Sequence, residues 1–310
     1  MSDSPASASP YEVLGVPRTA SDEDLRRAYR RLLRETHPDT GGETARFVAV
    51  QLAWERIGTA ETRAAYDRGA YAPGSDTAGP SRTWAPSSTG QTTQASRPAA
   101  RSYGHPGGWR RERYLRLIQE WVGRGVDIAD PYAPDLVHSA PRELRRLLAD
   151  ALAEEHTARN LSSLGIGYTV WHDVATGDPD EKIDHVVLGP TGLFSLLSED
   201  YGGEVRVRRG ELIGDAVGGE KPRDSLAHRT KRLARRSRVK FSAMVIVLPD
   251  DALAAPIEDL GSSAGALVRA VRRSVLPHLL RTGVEGARPI GGTEIFDIRS
   301  RLQATITHVE

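Results

Sequence analysis

The chain has 310 residues, enough for two ordinary domains or one large one, each able to bury an adequate core, and size alone does not choose between them. Its 42 basic and 41 acidic residues leave a formal net charge of +1, so no global field draws it to nucleic acid or an anionic membrane, and any electrostatic role is local. There is no cysteine, which excludes disulfides, thiolate zinc sites and a cysteine nucleophile, and leaves His, Asp and Glu as the side chains able to hold a metal.

The opening MSDSPASASP lacks a basic segment followed by an apolar one, and no later run approaches the roughly 18 apolar residues of a membrane span. The expectation is a soluble cytoplasmic protein with no membrane partner, disordered over residues 1–8. Between Ser21 and Glu35, the residues Leu25, Ala28, Tyr29 and Leu32 fall at helical spacing on one face. Ser21 is positioned as an N-cap, and Asp24 completes a capping box in its Asp-for-Glu form. The opposite side carries Arg26, Arg27, Arg30, Arg31 and Arg34, of which Arg26, Arg30 and Arg34 line up as one basic stripe. Alone, that stripe also reads as a solvated face, because exposed ion pairs contribute only about 0–1 kcal/mol each.

Pro38 ends this helix: proline disfavours the α-conformation of the residue before it and has no N–H to donate. His37 is pushed out of the helix, and Asp39 is left in a short loop with a free carboxylate. The following Thr-Gly-Gly lets the chain turn into a second helix over about 43–58, which offers Phe47, Val50, Trp54 and Ile57 on one face. The two apolar stripes can pack antiparallel.

Residues 72–108 are dominated by Pro, Gly, Ser, Thr and Ala, a composition that cannot offset chain entropy by burial, and are expected to be a flexible linker. Structure resumes at Trp109, with a helical stretch near 110–122, an irregular connector to residue 140 and a helix near 141–161. The period then changes. GYTVWHDV, KIDHVVLG, GLFSLL, EVRVRRGEL and FSAMVIVLP are short β-rich runs bounded by Gly, Pro or Asp. A basic helix from about Ser225 to Arg236 interrupts them, and another helix, roughly 263–281, is expected after the last central strand. That order describes an α/β domain with a mixed sheet over 141–310. In the basic helix Leu226, Thr230 and Leu233 form an inner stripe, with Arg229, Arg232 and Arg236 on one flank and Lys231, Arg235 and Arg238 on the other. The flanks can track phosphates, although no aromatics interleave them for base stacking, and a solvated face fits equally well.

Residues 9–71, from SPYEVLGVPRTASDEDLRRAYRRLLRETHPD through RFVAVQLAWERIGTAETRAAYDRGAY, resemble the J domain of the DnaJ family of co-chaperones. The resemblance implies an all-α fold, an antiparallel helical hairpin with small flanking helices, that docks on a DnaK-type ATP-dependent chaperone and stimulates its ATP hydrolysis. It gives Tyr29, Arg30, Arg31, Arg26 and Arg27 the surface that meets acidic patches on the chaperone, and His37, Pro38 and Asp39 the loop that triggers hydrolysis. The arginines then set encounter rate and salt dependence, while the loop carboxylate makes the desolvated contact. Thr40 stands where family members often have Arg or Lys. The linker has no Phe and the chain no Cys, so the Gly/Phe-rich and zinc modules of the best-known members are missing. The remainder of the chain is therefore expected to supply the address of a client that the sequence does not name.

From about Arg142 to Leu280 the chain resembles a NERD (nuclease-related) domain of the restriction-endonuclease-like superfamily. The resemblance is carried by LLADALAEEHTARNLSSL, GYTVWHDV, KIDHVVLGPTGLFSLLSEDYGG and FSAMVIVLP. Active members use a helix acid, an aspartate and an acid-x-Lys strand to hold a divalent metal and activate water. By that motif Glu154 is the helix acid and Asp184 the aspartate. The last strand departs from the pattern, with Leu197 at the second acid and Glu199 at the lysine. On a strand, 197 and 199 are expected to face one pocket. Leucine cannot ligate a metal, and glutamate repels phosphate. Lys182, two residues from Asp184 and on its face, is the one candidate for a migrated lysine. DPDEK at 178–182 matches the nuclease signature in letters but reads as a turn, and His185 reads as a packing or capping histidine.

The expected protein is thus multidomain: a J domain plus an α/β restriction-endonuclease-like domain whose catalytic motif is degenerate. Neither metal nor cofactor is expected. Magnesium enters only under the alternative of a chaperone-coupled, metal-dependent nuclease, whereas nucleic acid enters under that alternative, under that of a chaperone-coupled nucleic-acid-binding protein, and beside a client or a complex as a ligand of the non-catalytic domain.

Overall fold

The computed structural model describes residues 8–36, 44–67, 99–123, 125–178 and 181–309. His37, Pro38, Asp39 and Thr40 lie outside the described residues, as do residues 1–7 and 68–98, which hold most of the expected linker. The chain divides into two compact units, one of residues 8–94 with 132–139, the other of residues 95–131 with 140–310.

The first unit is helical: α1 (Pro10–Leu14), α2 (Asp22–Thr36), α3 (Thr44–Ile57) and α4 (Ala60–Asp67). α1 opens with a capping box, in which Ser9 Oγ accepts from the Glu12 N–H and the Ser9 N–H donates to the Glu12 carboxylate. α2 starts as its sequence requires, Ser21 Oγ accepting from the Asp24 N–H at 3.2 Å and donating to the Asp24 carboxylate at 2.7 Å. Tyr11, Leu14, Leu25, Leu32, Val50, Ala53 and Ile57 form one core, flanked by Tyr29 stacked on Trp54 at 4.4 Å between ring centroids. α4 closes the unit: the Tyr11 hydroxyl donates to Asp67, and Arg63 donates to the Tyr11 hydroxyl and the Arg18 carbonyl.

The second unit is built on a seven-stranded mixed sheet in the order β1-β2-β3-β4-β7-β9-β8. Its strands are β1 (Arg101–Tyr103), β2 (Thr169–Asp178), β3 (Glu181–Gly189), β4 (Gly192–Ser198), β7 (Ala243–Leu248), β8 (Ile257–Ser263) and β9 (Ala266–Arg272), while β5 (Arg206–Arg208) and β6 (Glu211–Ile213) form a separate hairpin. β1 with β2, β4 with β7 and β7 with β9 are parallel; the other pairs are antiparallel. α8 (Pro222–Ser237) and α10 (Glu294–Thr305) cover one face through Leu226, Leu233, Ile298 and Leu302. The other face packs with Leu161 of α7 (Arg142–Ser162) and with Leu276, Leu279 and Leu280 of α9 (Leu276–Thr282). Every residue of β4 and β7 is therefore buried, which is why β7 reads as an unbroken apolar run, while β4 carries Ser195 and Ser198 bonded to Thr230 and Thr157.

Four expectations change. The helix expected over 263–281 is instead the antiparallel pair β8 and β9 followed by α9, because Ala266, Val268 and Ala270 alternate into the core and Gly265, at φ 81°, makes the turn. EVRVRRGEL is not one strand but two, turning at Arg209 and Gly210, whose positive φ values suit a tight hairpin. The expected linker does not reach 108: Arg101–Tyr103 adds an edge strand beside β2, where backbone pairing offsets its poor apolar content. The expected connector 109–140 is not one segment. α5 (Gly108–Val122) is integral to the α/β unit through buried Arg110, Tyr114 and Ile118, whereas α6 (Pro134–Ser139) groups with the helical unit, where Asp135 pairs with Arg18 at 3.1 Å.

Candidate functional site

On α2 the residues Arg26, Arg27, Arg30, Arg31 and Arg34 are all exposed. Arg27 is tied to Glu23 and Asp24 on its own helix, at 3.2 and 3.5 Å, and Arg31 lies 3.9 Å from Glu35. Arg26 and Arg30 make no ion pair among the described residues. Tyr29 is half-buried against Trp54, so its ring holds α2 to α3 as well as bordering the basic face. The helix runs to Thr36, whose hydroxyl donates to the Leu32 carbonyl.

In the α/β unit, α7, β2, β3 and the residue after β4 bring five carboxyls into one buried cluster: Asp150, Glu154, Asp173, Asp184 and Glu199. Lys182 spends its ammonium on three of them, Glu154 Oε2 at 2.5 Å, Asp173 Oδ1 at 2.6 Å and Asp184 Oδ1 at 3.1 Å. Arg110, reaching in from the first turn of α5, lies 2.8 Å from Asp150, 2.7 Å from Glu154, 3.6 Å from Asp184 and 3.5 Å from Glu199. Arg146 joins Asp150 to Glu199 and stacks over Tyr201. Backbone N–H groups of Gly107, Ser198 and Asp200 donate to Glu154, Asp184 and Asp150.

Burial first and the neighbouring Asp184 second push the Glu154 carboxyl up to about 8, and burial with the neighbouring Glu199 pushes Asp150 up to about 7, against the opposing pull of the nearby cations. At Asp184 burial acts in the same direction, but Lys182 and Arg110 outweigh it and hold the group below the ordinary carboxylate range. Burial also disfavours the charges of Lys182 and Arg110. The surrounding carboxylates prevail, and both are held above their ordinary values.

Of the residues singled out from the sequence, Glu154, Asp184, Glu199 and Lys182 are brought together. Leu197 instead packs in the apolar cluster beneath α8, so the expected single pocket for 197 and 199 receives only Glu199, which lies beyond the end of β4. Arg110, Arg146, Asp150 and Asp173 belong to the cluster and were not singled out. Arg110 did carry a signal, since it shares one face of α5 with Tyr114 and Ile118 at helical spacing.

A divalent ion needs several free oxygen ligands at about 2.0–2.6 Å. Here every carboxylate oxygen of Asp150, Glu154, Asp184 and Glu199 already faces an N–H or ammonium group. Among the described residues no group of three His, Asp or Glu side chains is arranged to hold a metal ion. The donor set as folded does not fit a metal.

Beside the cluster runs a polar chain. Ser102 Oγ meets His172 Nε2 at 2.8 Å, His172 Nδ1 meets His185 Nδ1 at 2.7 Å, and His185 Nε2 meets Ser198 Oγ at 3.2 Å. Two facing ring nitrogens can share a hydrogen bond only if one donates and the other accepts, so this contact needs an unprotonated nitrogen. Burial pulls His172 down to about 4 and His185 well below its ordinary value.

The two flanks of α8 differ. Arg229 is buried, donating to the Lys182 carbonyl at 2.6 Å and to Ser225, and is therefore removed from the phosphate-tracking set. Arg232 leans toward Asp178 and Glu181, and Arg236 donates to the carbonyls of Ala175 and Thr305. Lys231, Arg235 and Arg238 are exposed.

A buried nuclease-type carboxyl cluster on a mixed sheet, in a chain that begins with a capped helical unit bearing a basic helix, defines a two-module protein. Residues 9–67 match the DnaJ domain family, and residues 149–244 match the nuclease-related domain family, NERD. Among curated relatives, the chaperone protein DnaJ of Thermotoga neapolitana is 46% identical over 66 residues, covering 20% of this chain and 18% of that protein. The chaperone protein DnaJ of Rippkaea orientalis is 51% identical over 61 residues, 19% of this chain and 16% of that one. The chaperone protein dnaJ 2 of Arabidopsis thaliana is 43% identical over 58 residues, 19% of this chain and 14% of that one. The chain thus spans less than a fifth of the length of these relatives, and only through its J domain. No helix among the described residues is long and apolar enough to cross a membrane.

Proposed function

We propose that the protein is a cytoplasmic J-domain co-chaperone that stimulates ATP hydrolysis by a DnaK-type chaperone, with its nuclease-related domain acting as a non-catalytic targeting or binding module that needs no cofactor. The observation that carries this reading is the exposed pair Arg26 and Arg30 on α2, which make no ion pair among the described residues, in a segment that matches the DnaJ domain and leads in sequence to His37–Pro38–Asp39. Arginines on an accessible helix face speed encounter with an acidic partner, while one loop carboxylate decides the productive contact. In a single-turnover assay with a purified DnaK-type chaperone, His37→Gln and Asp39→Asn are each expected to abolish stimulation without changing the melting profile. Stimulation at the wild-type level in both variants overturns the reading.

A second reading, a metal-dependent nuclease coupled to the chaperone, draws support from one arrangement: Lys182 within hydrogen-bonding distance of both Glu154 and Asp184. Plasmid incubated with magnesium or manganese separates the two. Nicking that Asp184→Ala abolishes favours the nuclease; intact plasmid favours the non-catalytic module. The client of that module is of unidentified chemistry.

A further inference from the structure

We propose that Arg110 is a protein-borne cation standing in the place that a divalent ion takes in a nuclease-type carboxylate site, so that this domain folds around an internal guanidinium and binds no metal. The inference goes beyond the co-chaperone reading and does not depend on it.

Four carboxyls converge from α7, β3 and the end of β4, and one guanidinium touches all of them, at 2.7–3.6 Å. A guanidinium suits that position because its five N–H donors fan out in a plane and it is always charged. Lys182 cannot replace it, since its ammonium is already spent on Glu154, Asp173 and Asp184. With Arg146 and the Ser198 and Asp200 N–H groups, the two side chains face every oxygen of these four carboxyls, Glu154 Oε1 being met by Arg110 as an ion pair without a hydrogen bond, and Lys182 keeps no ammonium N–H for a phosphate.

The approach of α5 is itself built. Gly107 has φ 74°, and a Cβ there would meet the Ala151 carbonyl of α7 at 2.7 Å. Only glycine lets the start of α5 come this close, and the same Gly107 N–H donates to Glu154. Three residues later Arg110 is carried into the cluster, with Tyr114 and Ile118 buried below it to fix the helix. The whole device, residues 107–118, precedes the segment that matches the nuclease-related family. This chain therefore brings its cation from outside the matched domain.

The test uses the full chain after treatment with EDTA, titrated with manganese by calorimetry and by the spin-resonance signal of free manganese. The wild type is expected to bind none and to melt at the same temperature with EDTA or manganese. Arg110→Met is expected to melt several degrees lower and to bind manganese in equimolar amount, which restores part of the loss. Equimolar manganese binding by the wild type overturns the proposal. So does an Arg110→Met variant that melts like the wild type, or one that is folded and destabilised yet indifferent to manganese. Should Arg110→Met fail to fold, Arg110→Lys keeps the charge without the fork: it is expected to melt lower and still bind no metal, and manganese binding by it overturns the proposal.

Discussion

Lys182 Nζ lies 2.5 Å from Glu154 Oε2, so a lysine on β3 donates to a glutamate on α7 and couples helix to sheet inside a buried site. Removing one partner of a buried pair leaves a charge without compensation, which costs about 3–5 kcal/mol. Lys182→Met is expected to lose that much in denaturant unfolding of the α/β unit. Adding Glu154→Gln is expected to recover part of the loss, because the second change removes a buried carboxyl that has lost its donor. Strictly additive losses in the double variant contradict the coupling.

The same cluster sets an unusual pH profile. Glu154 is an ordinary carboxyl near 4.5 when unfolded and is pushed up to about 8 when folded, so between these values the folded state keeps a proton that the unfolded state has released. Stability therefore falls as pH rises through that window. His172 acts in the opposite sense: with 6.5 unfolded and about 4 folded, it withdraws stability as pH drops below 6.5. The effects oppose each other below 6.5, and above it the carboxyls act alone. Stability of the α/β unit is expected to decline from pH 6.5 to 8 by up to about 1.4 kcal/mol per pH unit for each raised carboxyl, and Glu154→Gln is expected to make the decline shallower. Thermal melts that hold level across this interval in the wild type rule the assignment out.

Much of this architecture is legible in the sequence, and the exceptions share a cause. The J domain shows because its capping box, arginine stripe and proline stop are local signals, each readable within one turn. β7 shows because a strand covered on both faces becomes an unbroken apolar run. The segment 266–272, within the helix expected over 263–281, misleads because Ala, Leu and Arg favour helix, while pairing of β9 with β7 inside the sheet overrides that preference. In the ionic cluster, the acids at family spacing are found, but the cations that satisfy them are not. Arg110 stands among Arg111, Arg113 and Arg116 on one helix, and only its burial partner Tyr114 distinguishes it. Long-range partners of a charge leave no mark in local spacing.

On the J domain the arginines separate into tied and untied. Arg27 already serves Glu23 and Asp24, whereas Arg26 and Arg30 have no ion pair among the described residues. Arg26→Glu with Arg30→Glu is expected to lower chaperone stimulation most at low salt, chiefly through slower association, with no change in melting temperature because both side chains are exposed. Arg27→Glu alone is expected to do less to association and to cost a few tenths of a kcal/mol in helix stability. Surface plasmon resonance against the chaperone at two ionic strengths checks the order. Equal effects from Arg27 and Arg30 contradict it.

The basic helix α8 divides in the same manner, and the division decides how a nucleic-acid assay must be read. Arg229 is bound to the Lys182 carbonyl and to Ser225 at the back of the ionic cluster, so its loss leaves a buried carbonyl without its donor. Arg229→Ala is expected to destabilise by about 1–3 kcal/mol and so to weaken any binding only by unfolding the domain. Lys231, Arg235 and Arg238 are exposed, and each phosphate they neutralise adds about 0.9 to the slope of log affinity against log salt. Fluorescence anisotropy with a labelled duplex at several salt concentrations separates the contributions. Replacing the three by alanine is expected to flatten the slope by about two to three with the fold intact. A slope unchanged by the triple variant makes this flank a solvated face, and any residual affinity then belongs to another surface.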